Sequence, residues 1–421
     1  MRTLIHSARL VSDGRVTENG WVLFDGGRIA RIGSGMPPVA DQGPVADAGP
    51  VAELVEATTA DTVAEPVEAT TTDTVAEPVE ATTADTVVDA RGRWLAPGFI
   101  DIHCHGAGGA AFDEGAVSIR TALAVHRAHG TTRSVLSLVT AALPDLEGQL
   151  GVIAAVAGSD ELVLGAHLEG PFLDVEHKGA HDQRLLISPT DHAIDRLLAA
   201  GDGRIRQITI APELPGGMAA LDRFVSAGVA VAIGHTGTDY ETAREAFERG
   251  ATILTHAFNG MNGIHHRAPG PVAAATRDEH VTIEIIGDGV HVHPEVIRLT
   301  CAAAPGRIAL VTDAMAATGS GDGEYTIGGL DVLVVDGVAR LRDGGSIAGS
   351  TLTQDAALRF AVAQVGLPIE AAVHAVTQAP AHAIGRAHDL GHLHPGYLAD
   401  AVLLEPDLTV AAVWAAGERL R

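Results

Sequence analysis

Aromatic residues make up only 3% of this 421-residue chain. Its core must therefore be filled by small and aliphatic side chains, with Ala, Val and Gly contributing most. The two cysteines, Cys104 and Cys301, lie far apart in sequence, which excludes a disulfide framework and gives no sign of an oxidising compartment. No apolar run approaches the roughly 18 residues that a membrane-spanning helix needs. The opening MRTLIHSARLVSDGRV is broken by His6, Arg9 and Asp13 before a signal-peptide core can form. Positive charge is also scarce, since 28 Lys and Arg against 53 Asp and Glu leave a formal net charge of −25. That field repels phosphate at long range, which excludes a general nucleic-acid or acidic-membrane surface and requires local basic residues for any small anionic substrate. A cytoplasmic protein without nucleic-acid or membrane partners is expected.

The acidic residues are unevenly spread. Residues 41 to 90 hold twelve Asp or Glu and no Lys or Arg, and a 12-residue unit recurs three times over residues 51 to 86, as VAELVEATTADT, VAEPVEATTTDT and VAEPVEATTADT. Solenoid repeats need longer units with a stackable apolar face, and here Pro66 and Pro78 interrupt a pattern dominated by Thr and acid. Residues 41–86 are expected to be an acidic, low-complexity and disordered insertion, a folded repeat being the alternative.

What remains is organised in two rhythms. Near the N-terminus WVLFDGGRIARIGSG and TVVDARGRWLAPG alternate with the two-residue period of strands, and LADAVLLEPDLTVAAVWAAGERLR offers matching material at the other end. A β-sandwich built from residues 1–40, 87–96 and 388–421 is expected. Between them, over residues 97–387, eight short apolar runs alternate with helix-like stretches: FIDIHCHG, TTRSVLSLVT, LVLGAHLEGP, IRQITIAPE, VAVAIGHTGT, ATILTHAFNG, TIEIIGDGV and RIALVTDAM. That alternation predicts an α/β fold of the (β/α)₈ TIM-barrel type, with a doubly wound sheet as the alternative. Six of the eight runs end in His, Glu or Asp. In a parallel barrel those ends share one face, so their side chains converge there.

The residues at those ends have the chemistry of a metal site. His103 and His105 are spaced by two, which puts both imidazoles on one side of a strand and Cys104 on the other. The third run supplies Glu169, the fifth His235 and the sixth His256. Taken singly, Glu169 reads as a loop carboxylate and each lone His as a structural residue. Together they form a set of imidazoles and one carboxylate sufficient for one or two divalent ions, zinc first, iron or another divalent ion as alternatives. Asp313 ends the eighth run and can act as general acid/base beside a metal-activated water, or as a ligand or helix cap. The reaction class that follows is hydrolysis of an amide or ester.

With APGFIDIHCHG, HLEGPFLDVEHKGAH, GHTGTDYE, THAFNGMNGIHHRAPG, IIGDGVHVHPE, LVTDAM and SIAGSTLT all in place, the chain resembles the amidohydrolase superfamily and, within it, the N-acetylglucosamine-6-phosphate deacetylase family. The motifs span nearly the whole chain outside the acidic insertion. The resemblance implies deacetylation of N-acetylglucosamine 6-phosphate to glucosamine 6-phosphate and acetate by metal-activated hydroxide, in amino-sugar catabolism or cell-wall recycling. Glu169, His235 and His256 would hold the principal ion, His103 and His105 a second one, and Asp313 would be the proton acceptor and donor. His181 would polarise the amide carbonyl. Substrate contacts are implied for Ala180, His181, Asn259, Gly260, Arg267, Asp288, Gly289, Val290, His291, Ile347, Ala348 and Gly349, with Arg267 as guanidinium partner of the phosphate. A homodimer is also implied, because relatives complete the phosphate pocket across a dimer interface. His177, His265, His266 and His293 carry no assigned role. Deacetylation of another amino-sugar phosphate, such as N-acetylgalactosamine 6-phosphate, is one alternative. A catalytically silent scaffold that recruits partners through the acidic repeat is another.

Overall fold

Each of the eight apolar runs contains a strand. The computed structural model describes residues 1–37, 45–46 and 83–421, and in it those runs form one parallel eight-stranded sheet in sequential order. The strands are β1 (Phe99–Cys104), β2 (Thr131–Val139), β3 (Val163–Glu169), β4 (Ile205–Ile210), β5 (Ala230–Ile233), β6 (Ala251–Leu254), β7 (Thr282–Ile286) and β8 (Ile308–Val311). The sheet's two edges are tied together just beyond the strands, where Asp313 N–H donates to His103 O at 2.8 Å and His105 N–H donates to Ala314 O at 2.7 Å. The result is a (β/α)₈ barrel. Its strands are buried on both faces, as in β2 where all nine residues are shielded, which is why they read as near-continuous apolar runs.

Helices cover the outside: α1 (Ala116–Ala128), α2 (Leu143–Ser159), α3 (Asp191–Gly201), α4 (Gly217–Ser226), α5 (Tyr240–Glu248), α6 (Gly270–Arg277), α7 (Pro294–Ala303) and α8 (Gln354–Phe360). Two start on side-chain caps read easily from sequence, Thr190 accepting from Ala193 N–H before α3 and Asp239 accepting from Thr242 N–H before α5. Ala, Val, Ile and Leu dominate the continuous core between helices and barrel, with Phe99, Phe112, Phe172, Phe224 and Phe247 the aromatic exceptions.

The two chain ends build one sheet. Ala401–Leu404 lies antiparallel to Trp94–Pro97, with Leu403 opposite Leu95, and the latter strand pairs with Arg2–Ser12, which continues into Arg15–Asp25 and Arg28–Ser34. The strand Arg2–Ser12 changes partner along its length: Thr3–His6 pair with Thr86–Asp89, whereas Arg9 and Leu10 pair with Trp94 and Leu95. Ser7 between them has φ 56. Such a switch lets one sheet bend over itself, and Ile5, Phe24 and Val88 share a core with Leu95, Leu403 and Trp414. Arg133 on β2 reaches from the barrel into this layer, bonding Asp400 through Nε at 2.6 Å and Nη2 at 2.9 Å. The acidic repeat falls outside the described residues except for its last few.

One element carries no sequence expectation. Between β8 and α8, Gly323–Ile327, Leu330–Val335 and Val338–Leu341 form a three-stranded antiparallel sheet. Burial alternates along Leu330–Val335, and the inner face (Ile327, Val332, Val334) packs on Val139, Met315 and Ala348 beside the C-terminal ends of the barrel strands.

Candidate active site

The barrel strands end at one face, and four of the expected residues sit at or just past those ends. Glu169 is the last residue of β3, whereas His235, His256 and Asp313 each lie two residues beyond β5, β6 and β8. These three have φ of 46°, 24° and 49°. A left-handed backbone costs a non-glycine residue on the order of 1–3 kcal/mol and persists only where surroundings enforce it. Here it turns each side chain from the strand direction into the barrel mouth. Glycine lets loops close on one of them: a Cβ on Gly260 would lie 2.8 Å from His235 Nδ1, and one on Gly179 3.0 Å from His235 Cε1.

Glu169 is the centre of the cluster. Its Oε1 is 3.3 Å from Nε2 of His103 and 3.1 Å from Nε2 of both His235 and His256. Its Oε2 is 3.1 Å from Nε2 of His105 and 3.6 Å from Nε2 of His181. Asp313 Oδ1 adds contacts of 3.2 Å to His105 Nε2 and 3.6 Å to His103 Nε2. All seven residues are buried. Burial opposes charge on Glu169 and Asp313, yet the imidazoles outweigh it and hold Glu169 well below, and Asp313 below, the usual carboxylate range.

This donor set fits a divalent cation. His235 Nδ1 lies 2.8 Å from His177 O and donates its proton there, leaving a lone pair on Nε2 aimed at a carboxylate oxygen. His103 Nε2 faces two carboxylates without a hydrogen bond to either. Imidazole nitrogens and carboxylate oxygens converging on one buried point require positive charge among them, supplied by protons on His103 and His105 when no metal is bound or by a divalent cation in their place, and imidazole with carboxylate suits zinc or iron. Two potential ligand triads share Glu169: His103 with His105, and His181 with His235. His181 differs from the others in chemistry. Thr140 N–H donates to its Nδ1 at 3.3 Å, which leaves the ring proton on Nε2, and burial pushes its pKa down to about 4. A neutral imidazole with N–H facing the cleft is a hydrogen-bond donor rather than a ligand.

The cleft above this cluster is lined by His105, Glu169, Gly179, Ala180, His181, His235, His256, Asn259, Gly260, His291, Asp313, Ile347 and Gly349, with Val139, Ile286 and Ile327. Of the expected substrate contacts, Ala180, His181, Asn259, Gly260, His291, Ile347 and Gly349 are therefore brought together. Asp288, Gly289, Val290 and Ala348 sit behind or beside the lining. Asp288 holds His291, accepting from Nδ1 at 2.6 Å and from backbone N–H at 2.9 Å. Arg267 is exposed and off the cleft of its own chain, its Nη1 2.8 Å from His266 Nε2. His265 lies beside His266 at the surface, their rings tilted by 44°, and His293 caps α7. Thr140, Gln207, Glu284 and Ile327 carry no sequence expectation although they hold or line the site. For Glu284 the available signal is an acid in the middle of the apolar run TIEII.

Residues 94–420 match the amidohydrolase family. The N-acetylgalactosamine-6-phosphate deacetylase of Escherichia coli O157:H7 is 38% identical over 77% of this chain and 87% of its own length. The N-acetylglucosamine-6-phosphate deacetylase of Vibrio furnissii is 34% identical over 77% and 82%. Among solved structures, the N-acetyl-D-glucosamine-6-phosphate deacetylase of Mycobacterium smegmatis superposes with a TM-score of 0.85 at 37% identity, covering 100% of both chains. A mutant of that enzyme in complex with N-acetyl-D-glucosamine-6-phosphate superposes equally well, at 38% identity over 100% of this chain and 99% of that one.

Proposed function

Because this chain belongs to the amidohydrolase family, we propose that its cleft hydrolyses the acetamide of N-acetylglucosamine 6-phosphate, giving glucosamine 6-phosphate and acetate. The observation that carries this reading is the placement of Asp313 in the same buried cluster as Glu169, 3.2 Å from His105, at the floor of a cleft that His181 also faces. Relatives of this length and similarity that bear the name of amino-sugar phosphate deacetylases support it.

Glu169, His235 and His256 would hold a divalent cation, with His103 and His105 available for a second, and such an ion would supply Lewis-acid polarisation of the amide carbonyl and acidify water. We place zinc first, with iron or another divalent ion as alternatives. The chain's own residues supply the rest. Asp313, ionised and beside the cluster, accepts a proton from the attacking water and returns it to the amine nitrogen as the C–N bond breaks. His181 Nε2–H donates to the carbonyl oxygen as negative charge grows on it, and Thr140 N–H keeps that proton on Nε2. Ala180, Asn259, Gly260, His291, Ile347 and Gly349 position the sugar. Arg267 is assigned to the phosphate, and its exposed place off the cleft of its own chain supports a contact made across a homodimer interface. No helix among the described residues is long and apolar enough to cross a membrane. We place the enzyme in amino-sugar metabolism, in the cytoplasm.

The galacto epimer of the substrate is a second reading, favoured by the 38% identity to a protein named for it. Acetate release from metal-loaded protein, compared on N-acetylglucosamine 6-phosphate, N-acetylgalactosamine 6-phosphate and unphosphorylated N-acetylglucosamine, separates these readings. Turnover on the first substrate is expected to exceed the others in kcat/KM. No acetate from either phosphosugar rejects the function.

A further inference from the structure

Inside the barrel, beneath the cluster, Glu284 on β7 is fully buried. Its Oε2 accepts from His103 Nδ1 at 3.1 Å and from the His256 backbone N–H at 3.3 Å, while its Oε1 accepts from Gln207 Nε2 at 2.7 Å. Each of those contacts comes from a ring or amide nitrogen, and among the described residues no Lys or Arg forms an ion pair with Glu284. Its ion-pair partner among the described residues is the His103 ring, and withdrawing a carboxylate from water costs several kcal/mol that a pairing only partly offsets. An amide or aliphatic side chain would occupy the same interior position at lower cost, so packing does not account for an acid there.

Its effect on His103 does. The bond to Glu284 places the His103 ring proton on Nδ1 and aims Nε2 at Glu169 and Asp313, the carboxylate–histidine arrangement that orients imidazole ligands and raises their basicity. His105, by contrast, has no hydrogen-bond partner at Nδ1. His103 is thus the pre-oriented member of the pair. Gln207 in turn fixes Glu284, so orientation runs from β4 through β7 to β1.

We propose that Glu284 is a positioning residue that, acting through His103 Nδ1, makes the His103–His105 pair, with Glu169 shared, a second divalent-cation position beside the one held by Glu169, His235 and His256. The inference rests on the metal-dependent reading of the cleft and adds to it the residue on which occupancy of the second position depends. Glu284 touches neither substrate nor reacting atoms.

The test is metal binding, not turnover. Chelator-stripped full-length protein is titrated with Zn²⁺ against a competing chromophoric chelator, and retained metal is counted by mass spectrometry. Wild type is expected to take two ions per chain. Glu284→Gln is expected to weaken one of them roughly 10- to 100-fold and leave the tighter one unchanged. His103→Gln should remove the same ion, and the double variant should lose no more than His103→Gln alone. Gln207→Met leaves every ligand in place and should weaken the same ion to a smaller extent, which keeps the test available if Glu284→Gln does not fold. Wild-type binding of a single ion, unchanged binding in both the Glu284 and Gln207 variants, or equal weakening of both ions overturns the proposal. Absence of any stoichiometric ion in wild type instead rejects the metal-dependent reading itself.

Discussion

Nε2 of His235 and Nε2 of His256 lie 3.0 Å apart, and each is 3.1 Å from Oε1 of Glu169. Two imidazole nitrogens and a carboxylate oxygen at such separations, all buried, form a donor set that a divalent cation would stabilise. Because metal binds the folded chain far better than the unfolded one, metal present at 100 times its Kd contributes about 2.7 kcal/mol to stability. Chelator-treated protein is expected to melt several degrees lower and to recover on adding Zn²⁺ or Fe²⁺. Identical melting of the stripped and loaded forms would argue against a metal at this cluster.

Asp313 is buried and held ionised by His103 and His105 despite desolvation, so its assigned work is proton transfer. Asp313→Asn keeps shape and hydrogen-bonding capacity but removes the base. A fall in kcat of about 10²- to 10⁴-fold is expected, with metal content unchanged by mass spectrometry. Near-normal acetate release from that variant would remove Asp313 from the mechanism.

His181 is assigned a different share. Losing one preorganised donor to a developing oxyanion costs on the order of 10²- to 10³-fold in kcat. His181→Gln should show that loss with little change in KM and with metal content unchanged. A loss of bound metal would instead make His181 a ligand.

The link between barrel and terminal sheet gives a stability prediction. Arg133 and Asp400 are nearly fully buried and doubly hydrogen-bonded. Removing one partner leaves an uncompensated buried charge, typically at a cost of about 3–5 kcal/mol. Arg133→Met should lower the urea midpoint accordingly, and adding Asp400→Leu should restore part of the loss. Equal stability of single and double variants would mean that the pair is not coupled.

His126 sets an acid-sensitivity window. Desolvation lowers its pKa to about 4, against the raising effect of the bond from Nε2 to Gly106 O. Between its ordinary value near 6.5 and about 4, the unfolded chain binds a proton that the folded chain refuses. Its contribution is thus complete above the first pH, declines at up to about 1.4 kcal/mol per pH unit through the window, and is flat below it. His126→Gln should flatten the pH dependence of the unfolding free energy between those limits. An unchanged slope would assign the acid lability elsewhere.

Much of the cluster is legible residue by residue because it depends on local rules. Period-two geometry places His103 and His105 together, and apolar runs ending in Glu169, His235, His256 and Asp313 mark the C-terminal ends of parallel strands. The inserted sheet of Gly323–Leu341 is less legible, because its alternating strands follow a motif already accounted for by β8. Thr140, Gln207 and Glu284 are silent for another reason: each is a single polar residue in or beside a strand run whose partner lies elsewhere in the chain. Arg267 shows the reverse case, a motif residue that the isolated chain leaves on its surface.

By itself the sequence determined the alternation of strands and helices, the set of ligand-type residues at strand ends, and the aliphatic character of the core. These follow from short-range periodicity and side-chain chemistry. Only the tertiary structure decided that both oxygens of Glu169 form the common centre. It also decided that His181 presents N–H rather than a lone pair, and that Glu284 meets His103 across 181 residues of chain. Such relationships depend on barrel closure, which sets distances and tautomers between residues that no local pattern connects.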